Sequence, residues 1–547
     1  HEAFEGDVRR RDRIDFREAD ATTQGGHAFR VMEAYERWLE AEGESGKWQL
    51  AILRLLGLFD RPANAECIAA LRRPPAIDGL TDVLADLRET QWNQSVRRLE
   101  QAALLSRDGD DLDAHPLVRE HFARRLQDDR PEAWKAAHGR LYDHLTDTTE
   151  HQPDTLHGLQ PLYQAVLHGC RAGRHEEAGA DVYRDRILRG TGGDGFYSTK
   201  RLGAFGADLG AVACFFDEPW RQPSPSLSEA DQSWLLSQAA FRLRALGRLR
   251  EAIEPMRAGL AMAIGSEAWK DAAIRASNLS ELELTLGDVA AAVHDAEQSV
   301  DFADRSDDAF QRMARRTTVA DALHQAGRRA KAQRQFRDAE SMQADQQSQY
   351  PLLYSLRGFQ YCDLLLAGPE RAAAGASSVA DDYDEVLRDV ERRAAQTLSW
   401  AKGNYLSLLS LALDRLTLGR LRLYRTLLDG AHPDDSEPEI EAAVDGLRRA
   451  GQSDELPKGL LTRAWLRVAQ GRPDDARADL DEAEEIARRG PMPLFLADIA
   501  LYRARFFHDR EALAEARRLI DKHGYGRRLK EVEALETASS AWALSER

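Results

Sequence analysis

The residues with the clearest chemical potential form a cationic and aromatic group in the second half of the chain. Three arginines at a spacing of three and four share one face if the segment is helical, and an aromatic-rich segment with a further arginine follows them. Guanidinium groups beside aromatic rings bind acidic or aromatic groups. The candidate partner-binding residues are Arg312, Arg315, Arg316, Tyr354, Arg357 and Tyr361. The alternative is that the aromatic side chains form interhelical core and the arginines pair with nearby acids.

No residue pattern predicts a self-contained catalytic centre. The glycine-rich run at 190–195 lacks the Gly-Lys-Ser/Thr of a phosphate loop, and no buried strand leads into it, so a flexible loop is predicted. His121, His138 and His144 lack the spacing of a metal site, and we interpret them as surface histidines. We therefore predict neither a catalytic residue nor a metal site.

Composition limits the partners and the setting. The chain has 547 residues and a formal net charge of -17, which argues against non-specific nucleic-acid binding. Its four cysteines are scattered, so neither a disulfide framework nor a zinc site is predicted. The sequence shows neither a signal peptide nor an apolar segment long enough to span a membrane. These features predict a cytoplasmic protein.

A recurring pair of a small or apolar residue and glycine indicates the elements that position the candidate residues. Four such pairs end in Gly247, Gly287, Gly327 and Gly368. Glycine accepts the left-handed turn that ends one helix and lets the next helix pack closely. Intervals of 40, 40 and 41 residues therefore predict a tetratricopeptide-like α-solenoid. Gly419 and Gly471 continue the series at 51 and 52 residues.

The chain before the repeats reads as short helices closed by a β-hairpin. Helical periodicity and breaking prolines predict four helices, over residues 28–39, 48–59, 77–87 and 96–104. An apolar pair followed by an Asp-Gly turn predicts a hairpin over residues 104–115. Pro116 then begins a helix that runs to residue 126. Helices closed by a hairpin wing predict a winged-helix domain.

We therefore predict a mostly α protein with a winged-helix domain, a helical connector and an α-solenoid. Its predicted parts are residues 1–29 as the end of an upstream module or linker, 30–128 as the winged-helix domain, 129–228 as the connector with a first repeat-like unit, and 229–547 as the tetratricopeptide-like repeat domain.

Residues 112–122 read Leu-Asp-Ala-His-Pro-Leu-Val-Arg-Glu-His-Phe, directly after the hairpin turn. This stretch resembles the His-containing motif at the end of the winged-helix domain in STAND proteins, the signal-transduction ATPases with numerous domains, of the bacterial NACHT and NB-ARC-like kind. The order of winged helix, connector and repeats is similar over nearly the whole chain. The resemblance implies a P-loop NTPase module, and we expect one upstream of this chain.

The resemblance assigns a nucleotide-sensing role to His115. In that family the motif histidine points at the β-phosphate of bound ADP and helps to hold the resting state. An imidazole N–H is a suitable donor to a phosphate oxygen. Pro116 departs from the acidic residue of many members, so a second contact from that position is not implied. The alternative is that His115 only starts a helix or packs beside the hairpin.

The resemblance implies the regulatory and sensor half of a ligand-gated switch. It implies that a protein or peptide trigger would bind the repeats, that ADP would exchange for ATP with Mg in the complete protein, and that homo-oligomerisation would activate an upstream effector, in the context of bacterial anti-phage defence. ATPase activity is expected only together with the upstream NTPase module.

Two other classes of protein stay open. One is a winged-helix transcriptional regulator whose repeats bind a ligand, and the other is a repeat scaffold. A DNA-reading regulator needs a basic recognition helix. The candidate around residues 96–99 carries only a small basic cluster, Arg97 and Arg98.

Overall fold

The structure is a computed structural model that describes residues 24–192, 195–376, 383–403 and 407–542. The chain is mostly α-helical and divides into two compact units. Within the described residues, the N-terminal unit comprises 24–151 with Gln160–Tyr183, and the repeat unit comprises Gln152–Leu159 with 184–542. The predicted domain boundaries at residues 128 and 228 lie inside these units and stay predictions. Residues 1–23 of the predicted upstream segment, and Gly193 and Asp194 of the predicted loop, lie outside the described residues.

Helices and one hairpin form the first part of the chain. The helices are α1 (Gln24–Ala41), α2 (Glu44–Leu56), α3 (Ala65–Arg72), α4 (Glu89–Gln101), α5 (Pro116–Asp129), α6 (Pro131–Thr148), α7 (Leu156–Arg171) and α8 (His175–Glu177), which continues as a π-helix (Ala178–Ile187). The strands are β1 (Ser106–Asp108) and β2 (Asp111–Asp113). The predicted hairpin is confirmed, and four of the five helices predicted before residue 130 are present with shifted ends.

A third extended position joins the hairpin. β1 and β2 are antiparallel, with Arg107 opposite Leu112. Leu112 also forms an antiparallel bridge with Ala63, which lies between α2 and α3. The Ala63 N–H donates to the Leu112 carbonyl at 2.7 Å, and the Leu112 N–H donates to the Ala63 carbonyl at 3.1 Å. From α2 onward, the order along the chain is therefore helix α2, the extended position at Ala63, helices α3 and α4, and the hairpin of β1 and β2.

The predicted helix over residues 77–87 is wrong. This segment consists of turns with a short 3₁₀ helix at Asp82–Leu84. The Ile77 N–H is bonded to Thr81 Oγ1 at 2.7 Å, and Gly79 has a φ of +76°, so a side-chain bond and a left-handed turn interrupt the helical pattern. The sequence prediction also missed α3, although Asn64 is a favourable N-cap whose side chain accepts from the Glu66 N–H.

Glu36 on α1 connects three helices of the N-terminal unit. Its side chain is 4% exposed and pairs with Arg54 on α2 at 3.2 Å and with Arg125 on α5 at 3.3 Å. The Nε2 atom of His121 on α5 lies 3.5 Å from Glu36 Oε2. The His121 hydrogen bond lowers the pKa of Glu36 to about 2 although burial opposes the shift, and Arg125 and Arg54 add to the lowering. One carboxylate thus fixes how α1, α2 and α5 meet.

The interpretation of His121, His138 and His144 as surface histidines is wrong, because all three are buried. His138 and His168 place their Nδ1 atoms 2.7 Å apart, with stacked rings. Burial lowers the pKa of both side chains, that of His168 to about 3. Their positions on the inner faces of α6 and α7 follow from helical packing, which a short sequence window does not reveal.

The repeat unit begins with two short helices, α9 (Tyr197–Leu202) and α10 (Phe205–Ala213), and a hairpin of β3 (Phe216–Glu218) and β4 (Gln222–Pro223). Long helices follow: α11 (Glu229–Ala245), α12 (Leu249–Gly265), α13 (Trp269–Thr285), α14 (Val289–Ser306), α15 (Ala309–Gln325), α16 (Arg329–Gln346), α17 (Ser355–Ala373), α18 (Asp384–Gly403), α19 (Leu408–Asp429), α20 (Glu437–Ala450), α21 (Leu456–Ala469), α22 (Pro473–Arg489), α23 (Pro493–Phe507), α24 (Arg510–His523) and α25 (Leu529–Trp542). Short 3₁₀ helices lie at Pro433–Ser436 and Gly526–Arg528. Successive helices pack as hairpins, which confirms the predicted helical-repeat fold.

Four of the six predicted turn glycines form left-handed turns, namely Gly247, Gly287, Gly327 and Gly471. The other two predictions are wrong, since Gly368 lies inside α17 and Gly419 inside α19. At both positions the glycine admits a neighbouring side chain, Tyr383 against Gly368 and Ile440 against Gly419. The turns that end these helices use Gly375 and Gly430 instead, with φ of +69° and +66°.

Contacts between distant repeats close the repeat unit on itself. The Ser453 N–H donates to the Ala245 carbonyl at 2.6 Å, and His523 Nδ1 donates to the Gly287 carbonyl at 2.8 Å. The backbone of Gly526 lies against the turn at Gly327. The first helices of successive pairs therefore surround a common interior.

Candidate functional site

The interior of the repeat unit contains a cavity of about 160 Å³. The first helix of each helical pair contributes to its wall, and many of the contributed side chains are charged. We call this cavity and its lining the charged basin. Representative lining residues, one from each of six successive first helices, are Arg244, Glu281, Asp321, Asp363, Arg420 and Lys458.

One end of the charged basin, which we call the balanced end, pairs three carboxylates with three arginines. Its members are Asp363, Glu370, Asp498, Arg420, Arg527 and Arg528. Arg420 Nη1 lies 2.7 Å from Asp363 Oδ1, and Arg528 Nε lies 2.7 Å from Asp498 Oδ1. Burial alone would raise the pKa of Asp363, but Arg527 and Arg420 outweigh it and hold that pKa well below its usual range. The charges at this end compensate one another.

The other end, the acidic end, consists of Asp321, Asp454 and Glu455 with Lys458 and Arg244. Lys458 Nζ lies 2.6 Å from Glu455 Oε2. Arg244 Nε lies 2.8 Å from Asp454 Oδ2, while its Nη1 lies 2.6 Å from Glu281 Oε2. Because Arg244 is shared with Glu281, the three carboxyl groups of this end outnumber their cations.

Asp321 has no cationic hydrogen-bond partner among the described residues. Its two oxygens accept from the side-chain amides of Gln325 at 2.9 Å and Gln360 at 3.1 Å. Burial raises the pKa of Asp321 to about 6, and Asp363 and Glu281 add to the rise, while the hydrogen bond from Gln325 and the charge of Lys458 oppose it. Lys458 is thus the cation that acts on this carboxyl group, but it forms its ion pair with Glu455 and its effect does not offset burial.

Two predicted arginines, Arg312 and Arg316, do not point into the charged basin. Both bind Asp304, Arg312 through Nε at 3.1 Å and Arg316 through Nη2 at 3.1 Å. Arg315 instead donates to Ser277 Oγ on the preceding first helix. Burial lowers the pKa of Arg315 to about 10. The helix therefore keeps Arg312 and Arg316 together on Asp304 and directs only Arg315 elsewhere.

The three predicted residues on α17 and the segment before it also differ in their surroundings. Tyr361 is 4% exposed and stacks on Phe336, so it belongs to the core. Tyr354 is half-buried and packs against Trp400. The guanidinium of Arg357 lies 5.8 Å from the Tyr354 ring centroid. Only Tyr354 and Arg357 of this group combine an aromatic and a cationic side chain at a partly exposed position.

His115 is the N-cap of α5 and is exposed. Its Nδ1 accepts from the Leu117 N–H at 3.3 Å. Because a neutral imidazole carries its proton on the other nitrogen when one nitrogen accepts, this contact favours the Nε2–H tautomer. His115 thus both caps a helix and presents an N–H donor at the surface of the N-terminal unit.

The sequence prediction missed the charged basin, although a signal for it exists. Glu281 and Asp321 each lie six residues before a turn glycine, Gly287 and Gly327. A carboxyl group at the same repeat position indicates a row along the first helices. Charged residues in helices are usually solvated, and only the closure of the repeats makes this row half-buried.

Two other classes of site are not found in the part of the chain that the structure describes. No group of three or more His, Cys, Asp or Glu side chains there is arranged to hold a metal ion. None of the helices described is both long enough and apolar enough to cross a membrane.

Neither a family model nor a curated protein matches this chain. Among solved structures, it is similar to a Rap protein complexed with Competence and Sporulation Factor, with 11% identity and a TM-score of 0.42 over 74% of this chain and 93% of that one. It is also similar to a STAND protein with a tetratricopeptide repeat sensor from Pyrococcus horikoshii, with 13% identity and a TM-score of 0.36. That match covers 87% of this chain and 64% of the STAND chain, less than two thirds of its length. Both likenesses are distant, so the helical-repeat architecture rests on this chain's own helix packing.

Proposed function

We propose that this chain is the regulatory and sensor portion of a STAND-type NTPase, whose repeat unit binds a protein or peptide trigger in the charged basin. The basin carries the proposal, because it is a concave space lined by every first helix from α11 to α23. A ligand there contacts many repeats at once and so favours one arrangement of the whole unit. Tyr354 and Arg357 are further candidates for contact with the trigger.

The N-terminal unit supplies the second part of the proposal. Its order of helix, bridge at Ala63, two helices and hairpin is consistent with a winged helix, and His115 follows the hairpin directly. We assign His115 the role of donating its Nε2–H to a phosphate oxygen of ADP held by an upstream P-loop module. Mg and ATP belong to that module, and none of the residues discussed above is assigned to bind them.

In this proposal the trigger shifts the protein from a closed to an open state. A nearly complete switch requires the trigger to bind the open state more tightly by about 5.5 kcal/mol. Opening permits nucleotide exchange, homo-oligomerisation and activation of an upstream effector, and bacterial anti-phage defence is the proposed setting.

The test is the nucleotide content of natively purified protein that includes the preceding coding sequence. We expect stoichiometric ADP in the wild type and a loss of at least about tenfold in His115→Ala, since the phosphate contact is removed. His115→Asn is the matched control, because asparagine keeps the N-cap but lacks the imidazole. A loss in both variants supports the phosphate contact, whereas retention of ADP in His115→Asn assigns His115 to capping alone. Absence of nucleotide from the wild type contradicts the proposal, and retention of DNA at physiological salt would then indicate a transcriptional regulator.

A further inference from the structure

We propose that the acidic end of the charged basin binds an alkylammonium or guanidinium group of the ligand, with Asp321 and Asp454 as the contacting carboxylates. The inference rests on the proposed use of the basin as the trigger site and names the chemistry that the trigger must carry. It concerns binding only, so its test does not depend on nucleotide.

The excess of negative charge at the acidic end favours a cationic ligand group. The balanced end has equal numbers of carboxylates and arginines. The acidic end has three carboxyl groups, while Lys458 is paired with Glu455 and Arg244 is divided between Asp454 and Glu281. A buried carboxylate without a matching cation is costly, and a ligand cation removes that cost.

Two further arginines near the basin, Arg315 and Arg357, do not neutralise the excess negative charge of the acidic end. The electrostatic partners of Arg315 and Arg357 include Glu281 but not Asp321, Asp454 or Glu455. These arginines therefore act on the acid that Arg244 already contacts. Even with Arg244 assigned wholly to Asp454, the acidic end has three carboxyl groups and two cations, an excess of one negative charge.

A second, independent observation is that Asp454 has a buried acceptor oxygen without a donor. Its side chain lines the cavity and the residue is 4% exposed. Oδ2 binds Arg244, whereas Oδ1 has no hydrogen-bond partner within the described residues. Buried carboxylate oxygens are nearly always hydrogen-bonded in folded proteins. An N–H donor of the ligand satisfies Oδ1 and contributes positive charge in the same contact.

The remaining walls favour an organic cation over a metal ion. Leu284, Leu356 and Leu461 line the same cavity. Lysine, arginine and polyamines combine an apolar stem with a cationic head, which matches walls of this kind. A metal ion needs several converging ligands, and the described residues contain no such group of three.

The size of the cavity sets the size of the inserted group. Its volume of about 160 Å³ is close to that of a cavity of about 150 Å³ that accommodates one benzene. It accepts one side chain or one aliphatic amine rather than a folded segment. The cation is therefore the lysine or arginine side chain of a peptide, or a free polyamine, and the experiment separates these sources.

The experiment is calorimetric titration of the chain with blocked pentapeptides Gly-Gly-Xaa-Gly-Gly, where Xaa is lysine, arginine, norleucine or glutamate, and with spermidine. We expect the lysine or arginine peptide, or spermidine, to bind at least about tenfold more tightly than the norleucine peptide. Asp321→Asn and Asp454→Asn should each weaken this binding at least about tenfold. Glu485→Gln removes the same charge from an exposed position and should leave it unchanged.

Each outcome decides the proposal. Tight binding of a basic peptide identifies a peptide source, and tight binding of spermidine alone identifies a free polyamine, while both support the site. Equal affinity for the norleucine peptide, no binding of any cation, or wild-type affinity in Asp321→Asn overturns it. If Asp454→Asn fails to fold because Arg244 loses its partner, Asp321→Asn carries the test, since the Asp321 side chain accepts only amide donors. ADP binding by the longer protein is unaffected by these outcomes, so the two proposals fail separately.

Discussion

Asp414 is a buried carboxyl group outside the charged basin, and it shows what burial does to a single residue. It is 3% exposed, and its Oδ1 accepts from the Thr397 hydroxyl at 2.8 Å. Oδ2 has no hydrogen-bond partner among the residues described. Burial raises the pKa of Asp414 to about 7, against the hydrogen bond from Thr397, which lowers it.

We predict that Asp414→Asn stabilises the protein at high pH only. The unfolded carboxyl group ionises near pH 4, whereas the folded group ionises near pH 7, so the wild type loses stability as the pH rises between these values. A shift of about three pKa units corresponds to about 4 kcal/mol. The free energy of unfolding of the variant should therefore exceed that of the wild type by up to about 4 kcal/mol at pH 8, with little difference at pH 4. Urea denaturation at both pH values measures this, and the same difference at both would contradict it.

At the scale of the helix, glycine has two distinct uses in this chain. At Gly247, Gly287 and Gly327 it supplies the left-handed turn between two helices. At Gly419 it lies within α19, where a Cβ would come 2.5 Å from Ile440 Cγ1 and 3.3 Å from Ile440 N. The first use is local, whereas the second depends on the approach of α20 to α19.

We therefore predict opposite effects for two helical glycine substitutions. Gly419→Ala should destabilise the protein by about 1–3 kcal/mol, because overpacking against Ile440 exceeds the gain in helix propensity. Gly210→Ala should stabilise it by up to about 1 kcal/mol, since Gly210 lies inside α10 with open space at the Cβ position. Chemical denaturation of both variants measures the two changes. Destabilisation of similar size in both would show that helix propensity and packing do not account for Gly419.

At the scale of the repeat unit, closure decides whether the charged basin exists. The turn at Ala326 and Gly327 meets Gly526, which belongs to the last part of the chain. A Cβ on Gly526 would overlap the Ala326 carbonyl and lie 3.1 Å from the Gly327 nitrogen. This contact has no room for a larger residue.

We predict that Gly526→Ala opens this contact. Amide hydrogen exchange in the turn at residues 322–330 should increase, because the added methyl group separates the two backbone segments. Gly524→Ala is the matched control, since Gly524 has a φ of +63° with no atom within 4 Å of a Cβ. That control strains its own turn but should leave exchange at residues 322–330 unchanged. Increased exchange there in both variants would assign the effect to the local turn and contradict a role for closure.

The candidate site residues also differ in whether local sequence or tertiary structure determines their surroundings. His115 was identified from a motif contiguous with a hairpin, and its local position as the N-cap is visible in the sequence because Pro116 begins the helix. The arginines at 312, 315 and 316 were grouped by spacing alone, yet Arg315 turns to Ser277 and the other two to Asp304. Helical spacing shows which residues are close in angle, but the neighbouring helices determine what each side chain meets.

The sequence by itself determined the helical class, most helix positions, the hairpin and the repeat turns at Gly247, Gly287, Gly327 and Gly471, because these depend on periodicity, capping and backbone freedom within one segment. Only the tertiary structure decided that Gly368 and Gly419 lie inside helices, that His138 faces His168, and that Asp321 and Asp454 share one cavity. Asp321 and Asp454 are more than a hundred residues apart, and no local signal relates them. Each repeat is rotated slightly relative to the one before it, and these rotations add up until helices from distant repeats touch. That Asp321 and Asp454 share one cavity therefore depends on the whole repeat unit and not on any single repeat.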